Sequence, residues 1–139
     1  DEIMASMPKF DEDEVLLYVD DIVTVYYVAT TPNIQYPPHE HGMIAISALY
    51  KGSETHIFYD EDGENVCERT RVRFEAPTVI DMKIDCMHAI CTCDEEPNQS
   101  LHFYLGDLET QKRRLWNIDG TNPRQYVHQD YMDCAQEME

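Results

Sequence analysis

The chain is a succession of short β-branched and aromatic runs broken by turn residues, and no stretch of it holds a long helical period. Val15–Asp20 and Ile22–Thr30 are rich in Val, Ile, Leu and Tyr around Asp20-Asp21, residue types that suit a pleated, half-buried surface. Thr31–Pro38 carries three prolines and an Asn, a loop that cannot continue a hydrogen-bonded ladder. Met43–Tyr50 predicts a third strand, turned by Lys51-Gly52-Ser53 into Glu54–Tyr59. Asp60-Glu61-Asp62-Gly63 is the strongest hairpin signal and leads into Val66–Phe74. Beyond Pro77, the segments Val79–Met82, Met87–Cys93, Ser100–Leu105 and Arg113–Ile118 predict further strands. Many short strands at regular spacing predict an all-β barrel or sandwich. Residues 1–13 read as a frayed lead-in, and Asp119–Glu139 as a segment that wraps the surface or forms a short helix.

A length of 139 residues fits one domain, 1–139, with a core that needs no staples. The formal net charge of −18 argues against nucleic-acid and acidic-membrane partners, which need clustered Lys and Arg. It also requires a specific local cation for any anionic substrate. Five cysteines, an odd number, suit a reducing compartment better than a disulfide framework. Cys91-x-Cys93 lacks the second pair of a structural zinc site and reads as structural thiols. No apolar run reaches the length of a bilayer span, and no basic-then-apolar leader follows Asp1. The expectation is a soluble cytoplasmic protein.

The chemistry-bearing stretch is Pro37-Pro38-His39-Glu40-His41-Gly42-Met43. Along an extended strand His39 and His41 point one way and Glu40 the other, so the two imidazoles form half of a metal site; a pair of ordinary loop histidines is the plain alternative. Downstream, His88 lies in a short strand after a turn. Ser100-Leu101-His102-Phe103-Tyr104 puts a hydroxyl, an imidazole and a phenol on one strand face, where they can chain into a hydrogen-bond relay. By spacing alone, three histidines suit zinc, nickel or copper.

A strand carrying His-x-His, a glycine turn at Gly52, a hairpin and a later third His resemble the cupin fold, a jelly-roll double-stranded β-helix. Most cupins place a Glu four residues after the second His; here that position is Ala45. Cupins with three His and no Glu include the thiol dioxygenases, the family of cysteine dioxygenase and mercaptopropionate dioxygenase, and Ser100-x-His102-x-Tyr104 resembles that family's Ser-x-His-x-Tyr signature. Gly106-Asp107-Leu108 and Arg113-Arg114-Leu115-Trp116 are similar to the mercaptopropionate-type branch. The resemblance covers about Glu14 to Asp119, which makes 14–119 the barrel core and 1–13 and 120–139 flanking segments. It implies an Fe(II) centre on His39, His41 and His88, catalytic Ser100, His102 and Tyr104, and Arg113 as the grip on a substrate carboxylate, with Lys112 and Arg114 as surface cations. The implied reaction is dioxygenation of a small thiol carboxylate, 3-mercaptopropionate-like or cysteine, to its sulfinic acid.

The departures are specific. Where the family has an early-strand Arg or Gln, this chain has Glu14, which repels a carboxylate and reads as a solvated side chain rather than a partner for a substrate amine. Ile46 stands where the animal enzymes have a thioether-forming Cys, so Tyr104 is expected to be uncrosslinked. Asp85 and Thr92 replace the small residue and Asn usual around the third ligand. The family's helical N-terminal part is absent or shortened, so the barrel leans on a partner subunit, as in a homo-oligomer, or stays partly open. A metal-dependent cupin lyase or isomerase, and a non-catalytic small-molecule-binding cupin, are the alternatives.

Overall fold

The computed structural model describes residues 13–92 and 96–138; the lead-in up to residue 12, and Cys93 to Glu95 of the acidic loop, lie outside them. Two antiparallel sheets face each other. One has five strands: β1 (Glu14–Val19), β2 (Thr24–Thr30), β10 (Asn98–Tyr104), β5 (Ala45–Lys51) and β8 (Thr78–Met82), in that spatial order. The other has eight, built around β9 (Met87–Cys91). Along one side of β9 lie the two-residue strands β3 (Ile34–Gln35) and β4 (His39–Glu40). Along the other lies β6 (Ser53–Asp62), which pairs with β7 (Asn65–Glu75) through the two-residue turn Gly63–Glu64. β11 (Arg114–Leu115), β12 (Arg124–Gln125) and β13 (Gln136–Glu137) complete this sheet. A seven-residue helix, α1 (His128–Cys134), follows β12.

The all-β expectation holds, and the predicted strands are found with boundaries moved by a few residues. Three local expectations change. The histidine pair does not run straight into the next strand: His39–Glu40 belongs to the β9 sheet and Ala45–Lys51 to the other. The chain crosses between them at Gly42, whose φ of 72° is a left-handed value that glycine adopts without a Cβ penalty. The strand expected over Arg113–Ile118 is only Arg114–Leu115. Cys91 is disulfide-bonded rather than a structural thiol, and Cys93 lies outside the described residues.

β9 is buried along its whole length, and its two faces serve different cores. Met87, Ala89 and Cys91 pack outward with Ile57, Tyr59, Val66 and Trp116. His88 and Ile90 point into the cavity between the sheets. Trp116 is fully buried, and its indole N–H donates to the Glu64 carbonyl at 2.9 Å. A second apolar cluster of Met43, Ala45, Ile80, Met82, Tyr104 and Leu108 lies beneath the five-stranded sheet. Among the described residues, no helix is long and apolar enough to cross a membrane.

Candidate metal centre

His39 and His88 are direct cross-strand partners, His39 on β4 and His88 on β9. Such partners project from the same face of a sheet. His41, two residues along on the same side, completes the group: one ring nitrogen from each lies within 4.8 Å of the others, and all three residues are buried. His39 Nδ1 faces the Pro37 carbonyl at 3.3 Å, and a carbonyl only accepts, so Nδ1 carries the proton and Nε2 is left as the free lone pair. The Nε2 atoms of His88 and His41 approach to 3.4 Å. His41 Nδ1 is buried without a hydrogen-bond partner. Burial, and next the Arg113 charge, push His39 down to about 3. Burial, then the neighbouring imidazoles, hold His41 and His88 well below the usual histidine value. Three neutral imidazoles converging on one point form the donor set of a divalent transition metal. Ala45, in the position of the fourth ligand of most cupins, is buried between its partners Tyr104 and Met82 and offers no oxygen.

On β10 the burial alternates strictly, with Asn98, Ser100, His102 and Tyr104 facing inward. The expected relay is present. His102 Nδ1 lies 3.1 Å from the Tyr104 hydroxyl and its Nε2 lies 3.0 Å from Ser100 Oγ, which donates to the Val28 carbonyl at 3.3 Å. The carbonyl end sets the polarity: Ser100 Oγ accepts from His102 Nε2–H, and Nδ1 accepts the Tyr104 proton. The Tyr104 ring centre stands 5.1 Å from that of His41. Burial raises the Tyr104 phenol above its ordinary value and lowers His102 to about 4.

The three histidines, His102, Tyr104 and Arg113 line one cavity of about 610 Å³. Arg113 and Arg114 diverge as neighbours on extended chain do. Arg114 turns away and grips Glu40 with two nitrogens at 2.8 and 3.0 Å. Arg113 turns in, its guanidinium carbon 3.6 Å from the Tyr126 ring centre, with one nitrogen donating to the Glu40 carbonyl at 3.2 Å. Glu14 is exposed, as expected of a solvated side chain, and stands at the rim of the same cavity 3.3 Å from His128 Nε2; partial desolvation there raises its carboxyl above the usual range.

Two groups of residues were not anticipated from sequence. Tyr126 and Tyr131 come from the C-terminal segment and close one wall, Tyr131 edge-on to His39 at 5.1 Å and stacked on Tyr36 at 5.4 Å. The segment has no periodicity that would announce this. Behind His88 lie His56 and Glu54, both fully buried. The Glu54-x-His56 spacing in a predicted strand was the available signal.

No protein-family model and no curated protein matches the chain. Solved structures do. A DMSP lyase, DddQ, from Ruegeria pomeroyi is 24% identical with a TM-score of 0.53 over 66% of this chain and 42% of that one; the chain spans less than half the length of that lyase. An RmlC-like cupin family protein from Methanocaldococcus jannaschii matches at 12% identity and a TM-score of 0.58, over 74% of this chain and 90% of that one. Oxalate decarboxylase from Bacillus subtilis matches at 17% identity and a TM-score of 0.54, over 70% of this chain and 25% of that one. At these identities the likeness speaks for architecture, and with the two-sheet topology it identifies the chain as a cupin-fold protein, a double-stranded β-helix with a three-histidine cluster inside.

Proposed function

We propose that the protein is a metal-dependent cupin enzyme, and within that class a thiol dioxygenase acting on a small thiol carboxylate. The carrying observation is that one cavity is lined by the three-histidine cluster, by Tyr104 and His102 of the relay that continues behind them to Ser100, and by Arg113. His39, His41 and His88 would hold the metal. Iron(II) bound there would bring thiol sulfur and dioxygen together and permit their combination, one thiol with one dioxygen, into one sulfinic acid without an external reductant.

The remaining work falls to the side chains. Arg113 has one nitrogen on the Glu40 carbonyl and its face on Tyr126, so its other nitrogens are available to a carboxylate, which a guanidinium pairs in a two-pronged manner. Tyr104 holds a proton at its hydroxyl. The relay has a second arrangement, reached when the His102 ring proton moves from Nε2 to Nδ1: Nδ1–H then donates to Tyr104, Ser100 turns its proton from Val28 to the bare Nε2, and the phenol O–H is released to the cavity. The exchange sacrifices one ordinary hydrogen bond, about 1 kcal/mol. Leu108 and Met82 supply apolar cavity wall that excludes water.

Oxygen uptake by anaerobically iron(II)-loaded protein, offered 3-mercaptopropionate, cysteine and other small thiols in parallel, tests this reading. One dioxygen consumed per thiol, with sulfinate formed, is the expected result. Arg113→Gln is then expected to raise KM for the thiol carboxylate about 10- to 100-fold, the worth of a charged hydrogen-bonded pair, with a smaller change in kcat. No uptake with any thiol at full iron occupancy would sink the dioxygenase. A metal-dependent lyase is the second reading, favoured by the tyrosine wall of Tyr36, Tyr126 and Tyr131 beside Arg113. A zwitterion with a carboxylate at Arg113 and a soft cation against aromatic faces fits such a wall, and its turnover would be indifferent to oxygen.

A further inference from the structure

The interior of the barrel carries a second chain of buried polar groups that the dioxygenase reading leaves unused. It starts behind His88, on the face away from His41. His88 Nδ1 lies 3.2 Å from His56 Nδ1, His56 Nε2 lies 2.8 Å from Glu54 Oε1, and Asn98 Nδ2 donates to Glu54 Oε2 at 3.0 Å. Asn98 Nδ2 also donates to the Ser53 carbonyl, and Asn98 Oδ1 accepts from the Thr30 N–H. Exposure of Glu54, His56, His88 and Asn98 is 2% or less. The strands account for the geometry. His56 and His88 are diagonal neighbours on β6 and β9, since Phe58 pairs with His88 and His56 with Ile90; Glu54 lies two residues before His56 and so shares its face.

With Glu54 ionised and one proton on each imidazole, each bond in this chain has only one consistent direction. The Thr30 N–H fixes the orientation of the Asn98 amide, because an N–H requires the oxygen end. Asn98 Nδ2 must therefore donate. Glu54 as a carboxylate is acceptor-only, so it takes the Asn98 proton on one oxygen and His56 Nε2–H on the other. His56 Nδ1 is then a bare lone pair facing His88 Nδ1, which must carry the proton. That leaves His88 Nε2 bare and aimed at His41 Nε2, 3.4 Å away.

We propose that Glu54 and His56 are positioning residues that lock His88 in the Nδ1–H tautomer, so that a buried carboxylate, acting through the His56 ring, keeps the ligand nitrogen of His88 free for the metal. This rests on the reading of His39, His41 and His88 as a metal centre. Partners of this kind, one shell behind a ligand, usually alter metal affinity about 10- to 100-fold when changed.

Glu54→Gln is the decisive perturbation because it conserves shape and reverses direction. Asn98 still donates, so the substituted side chain must turn its amide oxygen to Asn98 and its NH2 to His56. His56 Nε2 then accepts, Nδ1 carries the proton, and His88 is forced into the Nε2–H tautomer with its ligand nitrogen capped. Histidine ring nitrogen shifts, read by long-range proton–nitrogen correlation NMR on the metal-free protein, distinguish the tautomers directly. The wild type is expected to show His88 as Nδ1–H and the Glu54→Gln variant as Nε2–H. Titration with Co(II), followed by its visible absorption, is expected to show about 10- to 100-fold weaker binding in Glu54→Gln than in the wild type. A wild-type His88 in the Nε2–H form overturns the lock, whether or not the variant folds. So does an unchanged tautomer, or an unchanged Co(II) affinity, in the variant. Wild-type protein that fails to bind Co(II) while showing the expected tautomers would instead remove the metal-centre reading and leave the relay standing.

Discussion

Metal-free protein should be unusually sensitive to mild acid, and the size of the effect follows from the interior. His39 is held at about 3 and His102 at about 4, while His41 and His88 are held well below their ordinary value of 6.5, in every case chiefly by burial. These folded-state values lie under the unfolded one, so between them the unfolded chain binds more protons, and stability falls as pH falls from about 7 toward 4. For His39 and His102, moving from pH 7 to pH 5 removes about 2 kcal/mol each, taking about 6.5 as the unfolded value. The two together remove about 4 kcal/mol, a large part of the stability of a typical domain at about 5–15 kcal/mol, and His41 and His88, lowered in the same direction, add to the loss. Carboxylates enter later: Glu54, whose hydrogen bonds from His56 and Asn98 outweigh burial, adds to the loss below about pH 5, and Glu14, shifted upward, offsets part of it. The assay is urea unfolding with a chelator present, from pH 7.5 down to 5, followed by the fluorescence of Trp116, the chain's single tryptophan and a fully buried one. The slope of stability against pH counts the protons taken up on unfolding; near pH 5 it should reach about two from His39 and His102 and exceed that through His41 and His88. An uptake below about two would mean that these imidazoles charge readily in the folded protein, and would refute the picture of a neutral, preformed ligand set.

Three further outcomes follow from particular contacts. Tyr104→Phe should lower turnover by about 100- to 10,000-fold, the usual worth of a positioned proton donor or acceptor, while lowering urea stability by about 1–3 kcal/mol, since His102 Nδ1 loses its partner; a turnover within a few-fold of wild type would exclude the relay from the chemistry. Trp116→Ala empties the centre of the outer core and should cost about 3–5 kcal/mol in urea unfolding followed by far-ultraviolet circular dichroism, since the variant lacks the fluorescent residue. Gly120→Ala should be at least as damaging as a left-handed residue normally is, about 1–2 kcal/mol, because φ is 84° and the added Cβ would meet the Val66 carbonyl oxygen at 2.0 Å; a thermal melt unchanged from wild type would contradict the turn geometry at residues 117–121.

What was legible in the sequence is whatever period two governs. Ser100, His102 and Tyr104 share a face because β10 is a regular strand paired on both sides, so spacing alone sufficed. The same rule separated Glu40, on Arg114, from the two histidines flanking it. It failed where the chain leaves one sheet for the other. Nothing before Gly42 announces that β4 and β5 belong to different sheets; only the positive φ does, and that is a tertiary fact. His56 was missed for a related reason. Its meaning depends on the register of β6 against β9 across 32 residues, and a sequence displays spacing within a strand but not register between strands. The C-terminal tyrosines were illegible because they act from irregular backbone and a single short helix, neither of which leaves a period.

The arrangement of β9 explains how a small barrel tolerates so polar an interior. Neutral imidazoles, a carboxylate and hydroxyls between the sheets contribute little net stabilisation, since each exchanges water for one or two internal partners. Three of these interior atoms, His41 Nδ1, Thr30 Oγ1 and Ser47 Oγ, lack even one. The deficit is offset on the reverse side of the same strand, where Met87, Ala89 and Cys91 seal against Trp116, Ile57 and Val66. Alternation thus divides β9 into two sets: positions 87, 89 and 91 hold the fold, and positions 88 and 90 face the cavity. Because the apolar set is rigidly packed, His88 is carried on a strand that cannot twist to relieve an unmet bond. A relay behind it, rather than freedom of its own side chain, must then decide which nitrogen it presents.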